Sequence, residues 1–241
     1  MKYVFNLYPK KMKFQSRVSV VTPTMRSRTR FINLMLLNLE SQTYPHHLLE
    51  WIVVGDEDEV TANVFLQAFD KIPSIVCRYF PCDIDGDIGK KRNLACSLSN
   101  HKILASMDDD DVYNKDYLEY SVSEMNKRSV NMVGCRDMLV FFPLFGGKMT
   151  CVRGSLVHEA TIVCRKQHWK KSKYSEKCMQ GEGSTMVAGS YFNEMDITRV
   201  MVCMAHTNNT YDKTKLLEST EVFIPGKTRD NLLCLYKEVS T

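Results

Sequence analysis

Apolar residues along this chain gather in short runs separated by stripes of helical period, and the two alternate. Residues 18–22 (VSVVT) form a β-branched run stopped at Pro23, which has no N–H for a ladder and biases the preceding residue toward extended backbone. This predicts strand one. Residues 27–41 place Phe31, Met35 and Leu39 on one stripe with Ile32 and Leu36 beside it, so a helix is expected, with Ser27 or Thr29 as N-cap and Tyr44-Pro45 as its stop. Residues 49–54 read as a second strand closing on Asp56, and residues 60–69 as a helix. Residues 74–80 read as a third strand, 88–99 as a helix and 103–107 as a fourth strand. The alternation predicts an α/β fold with a mostly parallel sheet flanked by helices and ligand loops at the carboxyl ends of the strands. Pro23, Asp56 and Asp108 then share one edge.

The second half is less regular. A helix over 115–127 precedes a strand-like run at 131–142, and Gly146-Gly147 suggests a hairpin. An apolar stretch at 158–164, a basic helical segment at 167–172, the glycine-rich GEGS at 181–184 and a strand-like run at 200–205 ending in His206 follow. No repeat, linker or domain boundary is evident. At 241 residues, one domain with a full core is expected.

Charge adds a sharper feature. The fourth strand ends in Asp108, Asp109, Asp110 and Asp111, and four consecutive carboxylates repel one another unless a cation neutralises them. Basic clusters at Arg26, Arg28 and Arg30 and at Lys90, Lys91 and Arg92 suit an anionic small substrate. The net charge of +4, from 32 Lys plus Arg against 28 Asp plus Glu, is too mild to imply nucleic acid. The nine cysteines lack a C-x-x-C pair and read as reduced structural thiols. No apolar run is long enough to span a bilayer and no signal peptide is evident, so a cytoplasmic protein is expected, and the Asn208-Asn209-Thr210 sequon reads as chance. Residues 83–87 (DIDGD) imitate a calcium loop but have Ile88 where the loop needs glycine and Leu94 where it needs glutamate.

Taken together, VSVVTPTMRSRTR with its following helix, WIVVGDED, GKKRNLA and ILASMDDDDVY resemble, in order, four segments of family-2 glycosyltransferases of the glycosyltransferase A fold. The resemblance spans about residues 17–120. It implies a single nucleotide-binding domain, with a nucleotide-sugar half at about 17–120, an acceptor half with a smaller antiparallel hairpin at about 121–210, and a C-terminal extension at 211–241. It implies a sugar transferred, with inversion, from a nucleotide-diphosphate donor, UDP-sugar favoured, to a hydroxyl of a glycan or glycosylated acceptor. Mn²⁺ or Mg²⁺ is the implied cofactor, on Asp108 and Asp110 of the Asp-x-Asp motif with His206. Thr22, Pro23, Thr24 and Asp56 are implied to hold the base, Asp109 to share the ribose with Asp108, and Arg26, Lys90 or Lys91, and Arg92 to face the nucleotide or its phosphates. Asp111 closes the turn as the most expendable of the run. Where the family carries a Glu-Asp pair this chain has Gly181-Glu182-Gly183, so Glu182 is the expected general base, with Glu176 and Glu159 in reserve. Trp169 is read as an acceptor platform or as core. The alternatives are an inactive nucleotide-sugar or glycan-binding module and a sugar-phosphate nucleotidyltransferase, the latter disfavoured because TPTMRSRTR has no glycine.

Overall fold

The computed structural model describes residues 16–83, 87–177, 181–188, 191–209 and 211–240. Residues 1–15, residues 84–86 of the calcium-loop imitation, Cys178, Gln180 and Thr210 of the sequon lie outside them. The chain runs β1 (Val18–Pro23), α1 (Ile32–Glu40), β2 (Leu49–Asp56), α2 (Glu59–Phe69), β3 (Val76–Cys82), α3 (Ile88–Leu98) and β4 (Ile103–Ser106). It continues through β5 (Val112–Tyr113), α4 (Tyr117–Lys127), β6 (Met132–Gly134), β7 (Asp137–Phe142), β8 (Lys148–Arg153), β9 (Val163–Arg165) and α5 (Lys166–Lys171). The last elements are α6 (Ser184–Val187), β10 (Asn193–Glu194), β11 (Met201–Met204), β12 (Thr220–Glu221) and α7 (Gly226–Ser240).

A seven-stranded sheet has the order β10-β6-β9-β4-β1-β2-β3, in which β4, β1, β2 and β3 are parallel and β9 runs antiparallel to both its neighbours. Its side chains alternate between two cores, as the pleat requires. Val20, Trp51 and Val53 face Leu34, Met35 and Phe65 on one side. Val21, Ile52 and Val54 face Ala95, Cys96 and Trp169 on the other. Packing on both faces explains why these strands read as continuous apolar runs.

Three expectations need correction. The stretch before α1 is a tight 3-10 turn, Arg26–Phe31, without a side-chain N-cap on α1. Arg28 there is buried and drawn to the aspartate run, so the chain tightens around it. The strand-like run at 131–142 is two strands in two different sheets, broken at Cys135-Arg136. The hairpin β7–β8 does form, with Gly146 at φ +66° and Gly147 at φ +71° turning it, but it sits in a five-stranded sheet ordered β12-β8-β7-β11-β5. One pairing of that sheet, β11 with β7, is parallel. Residues 211–240 are no mere extension, because they supply β12 and α7. The eight cysteines among the described residues are free thiols. Among those residues no helix is long and apolar enough to cross a membrane.

Candidate active site

The parallel strands β1, β2 and β4 end together, and the aspartate run leaves the sheet there. None of its carboxylates is left as a bare charge. Asp109, wholly buried, accepts from Thr24 Oγ1 at 2.7 Å and from Arg28 at 2.8 Å, and burial still pushes its carboxyl up to about 7. Asp110 Oδ2 lies 3.0 Å from His206 Nε2, 3.2 Å from the Asn209 amide nitrogen and 3.3 Å from Arg28. Burial opposes its charge, but Arg28, His206 and Lys213 outweigh it and hold its carboxyl below the usual range. The Asn208 N–H donates to His206 Nδ1 at 3.1 Å, so Nε2 is the nitrogen that presents a proton to Asp110.

Asp111, expected to close the turn as the most expendable of the run, is tied in as well. It is buried, accepts from Met204 N at 3.1 Å, lies 3.7 Å from Lys213 Nζ, and burial raises its carboxyl to about 7.

Asp108 belongs to a different constellation. Arg92, buried on α3, donates both terminal nitrogens to its carboxylate at 2.7 and 2.8 Å and its Nε to Glu182 Oε1 at 2.9 Å. The guanidinium expected to face a phosphate is thus forked between two carboxylates, one from each half of the chain. Burial raises the Glu182 carboxyl, Arg92 pulls it down, and the charge of Glu159 raises it again. These groups surround a cavity of about 160 Å³, lined among others by Arg28, Asp108, Asp110, Glu159, Glu182 and Lys213. Arg28 and Ile88 also line a smaller neighbour of about 50 Å³, whose wall includes Pro23, Thr24 and Lys91.

Of the residues expected on the nucleotide side, Pro23 and Thr24 face that smaller cavity. Thr22 does not. Its hydroxyl donates to Met107 O at 2.7 Å and accepts from Trp51 Nε1 at 2.9 Å, which ties β1 to its neighbours in the core. Asp56 accepts from the Arg26 backbone N–H at 2.8 Å and from Lys91 Nζ at 2.5 Å, while the Arg26 side chain is exposed. Lys90 pairs with Asp87 at the start of α3 and lines neither cavity, so Lys91 is the inward one of the two lysines. Asn93, Glu176 and Trp169 form a structural knot: Asn93 donates to Glu176 and to Tyr174 O, each at 2.9 Å, and accepts from buried Trp169 at 3.0 Å. Trp169 is thus part of the core, and Glu176 lines neither cavity.

Residues 19–145 match the sequence profile of glycosyl transferase family 2, more than half of the chain. The chain belongs to that family. Among solved structures, S. aureus TarS 1–349 in complex with UDP-GlcNAc superposes with a TM-score of 0.63 at 16% identity, covering 90% of this chain and 70% of that one. The mannosyltransferase PcManGT from Pyrobaculum calidifontis, in complex with GDP-Man and Mn²⁺, gives 0.62 at 14% identity, covering 94% and 70%. At such identities the likeness establishes the glycosyltransferase A fold. Comparison with curated proteins gives no significant match.

For a family-2 chain, two site residues were missed as individuals. Arg28 stood in the basic cluster with Arg26 and Arg30, but it alone falls three and four residues before Phe31 and Ile32, on the stripe that turns inward. That signal was available. Lys213 carried none, because only the fold brings the segment after β11 back to Asp111.

Proposed function

We propose that this chain is a metal-dependent glycosyltransferase that moves a sugar, with inversion, from a nucleotide-diphosphate donor, UDP-sugar favoured, to a hydroxyl of a glycan or glycosylated acceptor. The carrying observation is the convergence of Asp108, Asp110, Arg28 and Glu182 on one cavity at the carboxyl edge of the sheet, with His206 against Asp110, beside the smaller cavity at Pro23 and Thr24.

Among the described residues no group of three or more His, Cys, Asp or Glu side chains forms a ready-made metal cage. The donor set nonetheless fits Mn²⁺ or Mg²⁺ bound together with substrate, since such ions take one or two protein ligands and fill their remaining positions with phosphate oxygens and water. Asp110 would hold the ion, with Asp108 beside it, and His206 would join them through Nε2 once the ion replaces the proton that Nε2 gives to Asp110. When bound, it supplies Lewis-acid stabilisation of the negative charge growing on the leaving diphosphate. Arg28, common to both cavities, lies where the diphosphate would join the nucleoside to the sugar. Pro23 and Thr24 shape the nucleoside end, Lys91 there pairs with Asp56, and Asp109 braces Thr24 and Arg28.

Glu182 accepts the proton of the attacking hydroxyl in this reading. Burial and the nearby Glu159 charge raise its affinity for a proton, as a general base working near neutrality needs, while Arg92 keeps it in place. A second reading, a nucleotide-sugar binder without turnover, draws on Arg92 occupying Asp108 and Glu182 at once.

A donor screen by thermal shift with Mn²⁺ present, followed by assay of metal-dependent donor hydrolysis, tests the proposal. Stabilisation and turnover by at least one nucleotide sugar are expected. Binding without turnover by any donor selects the second reading.

A further inference from the structure

Where the family pattern has an acidic pair, this sequence keeps only Glu182, but the fold brings a second carboxylate to the same cavity from elsewhere. Glu159 opens the 3-10 turn Glu159–Thr161 just before β9 and lines the cavity together with Glu182. Its Oε1 accepts from Gly183 N at 3.0 Å, so it grips the loop that carries Glu182. A Cβ on Gly183 would stand 2.8 Å from Glu159 Cγ, so the glycine is what admits this side chain.

The two acids are held differently. Glu182 is ion-paired with Arg92, whereas Glu159 has no ion-pair partner among the described residues. The cations of the cavity are committed elsewhere: Arg28 to Asp109 and Asp110, Arg92 to Asp108 and Glu182, and Lys213 to Asp111. An incoming acceptor therefore meets uncompensated negative charge on the Glu159 wall. Hydroxyl groups satisfy a carboxylate there by donating to it, while a phosphate or carboxylate on the acceptor would be pressed against like charge.

We infer that Glu159 is a specificity-determining residue, forming with Glu182 an acceptor site for an uncharged polyhydroxyl sugar and disfavouring acceptors that carry acidic groups. This rests on the glycosyl-transfer reading above.

The test uses the full chain saturated with Mn²⁺ and a nucleoside diphosphate, and measures by calorimetry the binding of a panel of neutral methyl glycosides and of their 6-phosphates. The wild-type protein is expected to bind at least one neutral glycoside more tightly than its phosphate. E159Q keeps an oxygen for Gly183 N and removes the charge. It is expected to weaken the neutral ligand about tenfold and to narrow the preference over the phosphate by a similar factor, a range typical of hydrogen bonds to charged groups. G183A, which displaces Glu159 without changing its charge, should weaken the neutral ligand in the same direction, and it serves as the test if E159Q does not fold. An unchanged preference in the variant, a wild-type preference for the phosphates, or a panel with no neutral binder overturns the inference. Absence of donor hydrolysis in the wild-type protein would instead count against the transfer reading itself.

Discussion

Arg28 and Arg92 approach the aspartate run from opposite sides, and they do different jobs there. Arg28 comes from the turn after β1 and neutralises Asp109 and Asp110, two neighbours in the same loop, and it also donates to the backbone carbonyl of Asn208 at 3.3 Å. Arg92 comes from α3 and joins Asp108 to Glu182, which the chain supplies from its second half. One cation therefore holds together the charges of one loop, while the other joins that loop to Glu182. The fork of a guanidinium suits the second task, because three donors in a fixed plane can serve two carboxylates at once.

The largest separation between the two sides comes from removing Asp110. D110A should lower metal-dependent donor turnover by roughly 10³-fold, the order expected when a main electrostatic contact to the leaving group is lost, and a Mn²⁺ titration of donor hydrolysis checks it. E182Q acts on the other side and should cost about 10²–10⁴ in transfer while sparing donor affinity. Competition binding with the nucleoside diphosphate separates the two, and transfer at the wild-type rate would remove Glu182 from the base assignment. R92A touches both sides and leaves buried Glu182 and half-buried Asp108 without their cation, so a destabilisation of about 3–5 kcal/mol is expected in urea unfolding. R92K should recover part of the stability but not the two-sided geometry.

The smallest effect is the pH dependence of the metal-free protein. Asp109 and Asp111 are raised from 3.8 to about 7 in the folded state, so the folded chain holds more protons than the unfolded one between those values. Stability should therefore fall as pH rises from about 4 to about 7, whereas the contribution of Asp110, whose carboxyl is depressed, is already complete above the lower value. Melting curves across that range should show the decline, and D111N should flatten it.

The donor half was legible because its strands are buried on both faces and its helices carry clean stripes, so β1 to β4 and their order follow from period alone. The acceptor half hid its plan for a physical reason. Residues 132–142 are apolar except at Arg136 and Asp137, and that charged pair after Gly134, which reads as solvent-facing positions of one strand, is the point where the chain leaves one sheet and enters another. Site residues divide the same way. Asp108 to Asp110 announce themselves by charge density, and Arg28 by its place on a stripe. Glu159 and Lys213 reach the cavity only through long-range packing. Thr22 and Lys90 sat in the right segments, but side-chain direction, which a motif does not carry, turned one into the core and the other toward Asp87.

Tyr113 gives the two ends of the cavity a common anchor. Its hydroxyl accepts from Asp108 N at 2.8 Å and donates to Ala160 O at 3.0 Å, and its ring is buried against Tyr117. One uncharged oxygen thus pins the backbone of the first aspartate to the backbone beside Glu159. The phenol works as a spacer of fixed length between Asp108 and the turn that carries Glu159, and it does so without adding any charge to either.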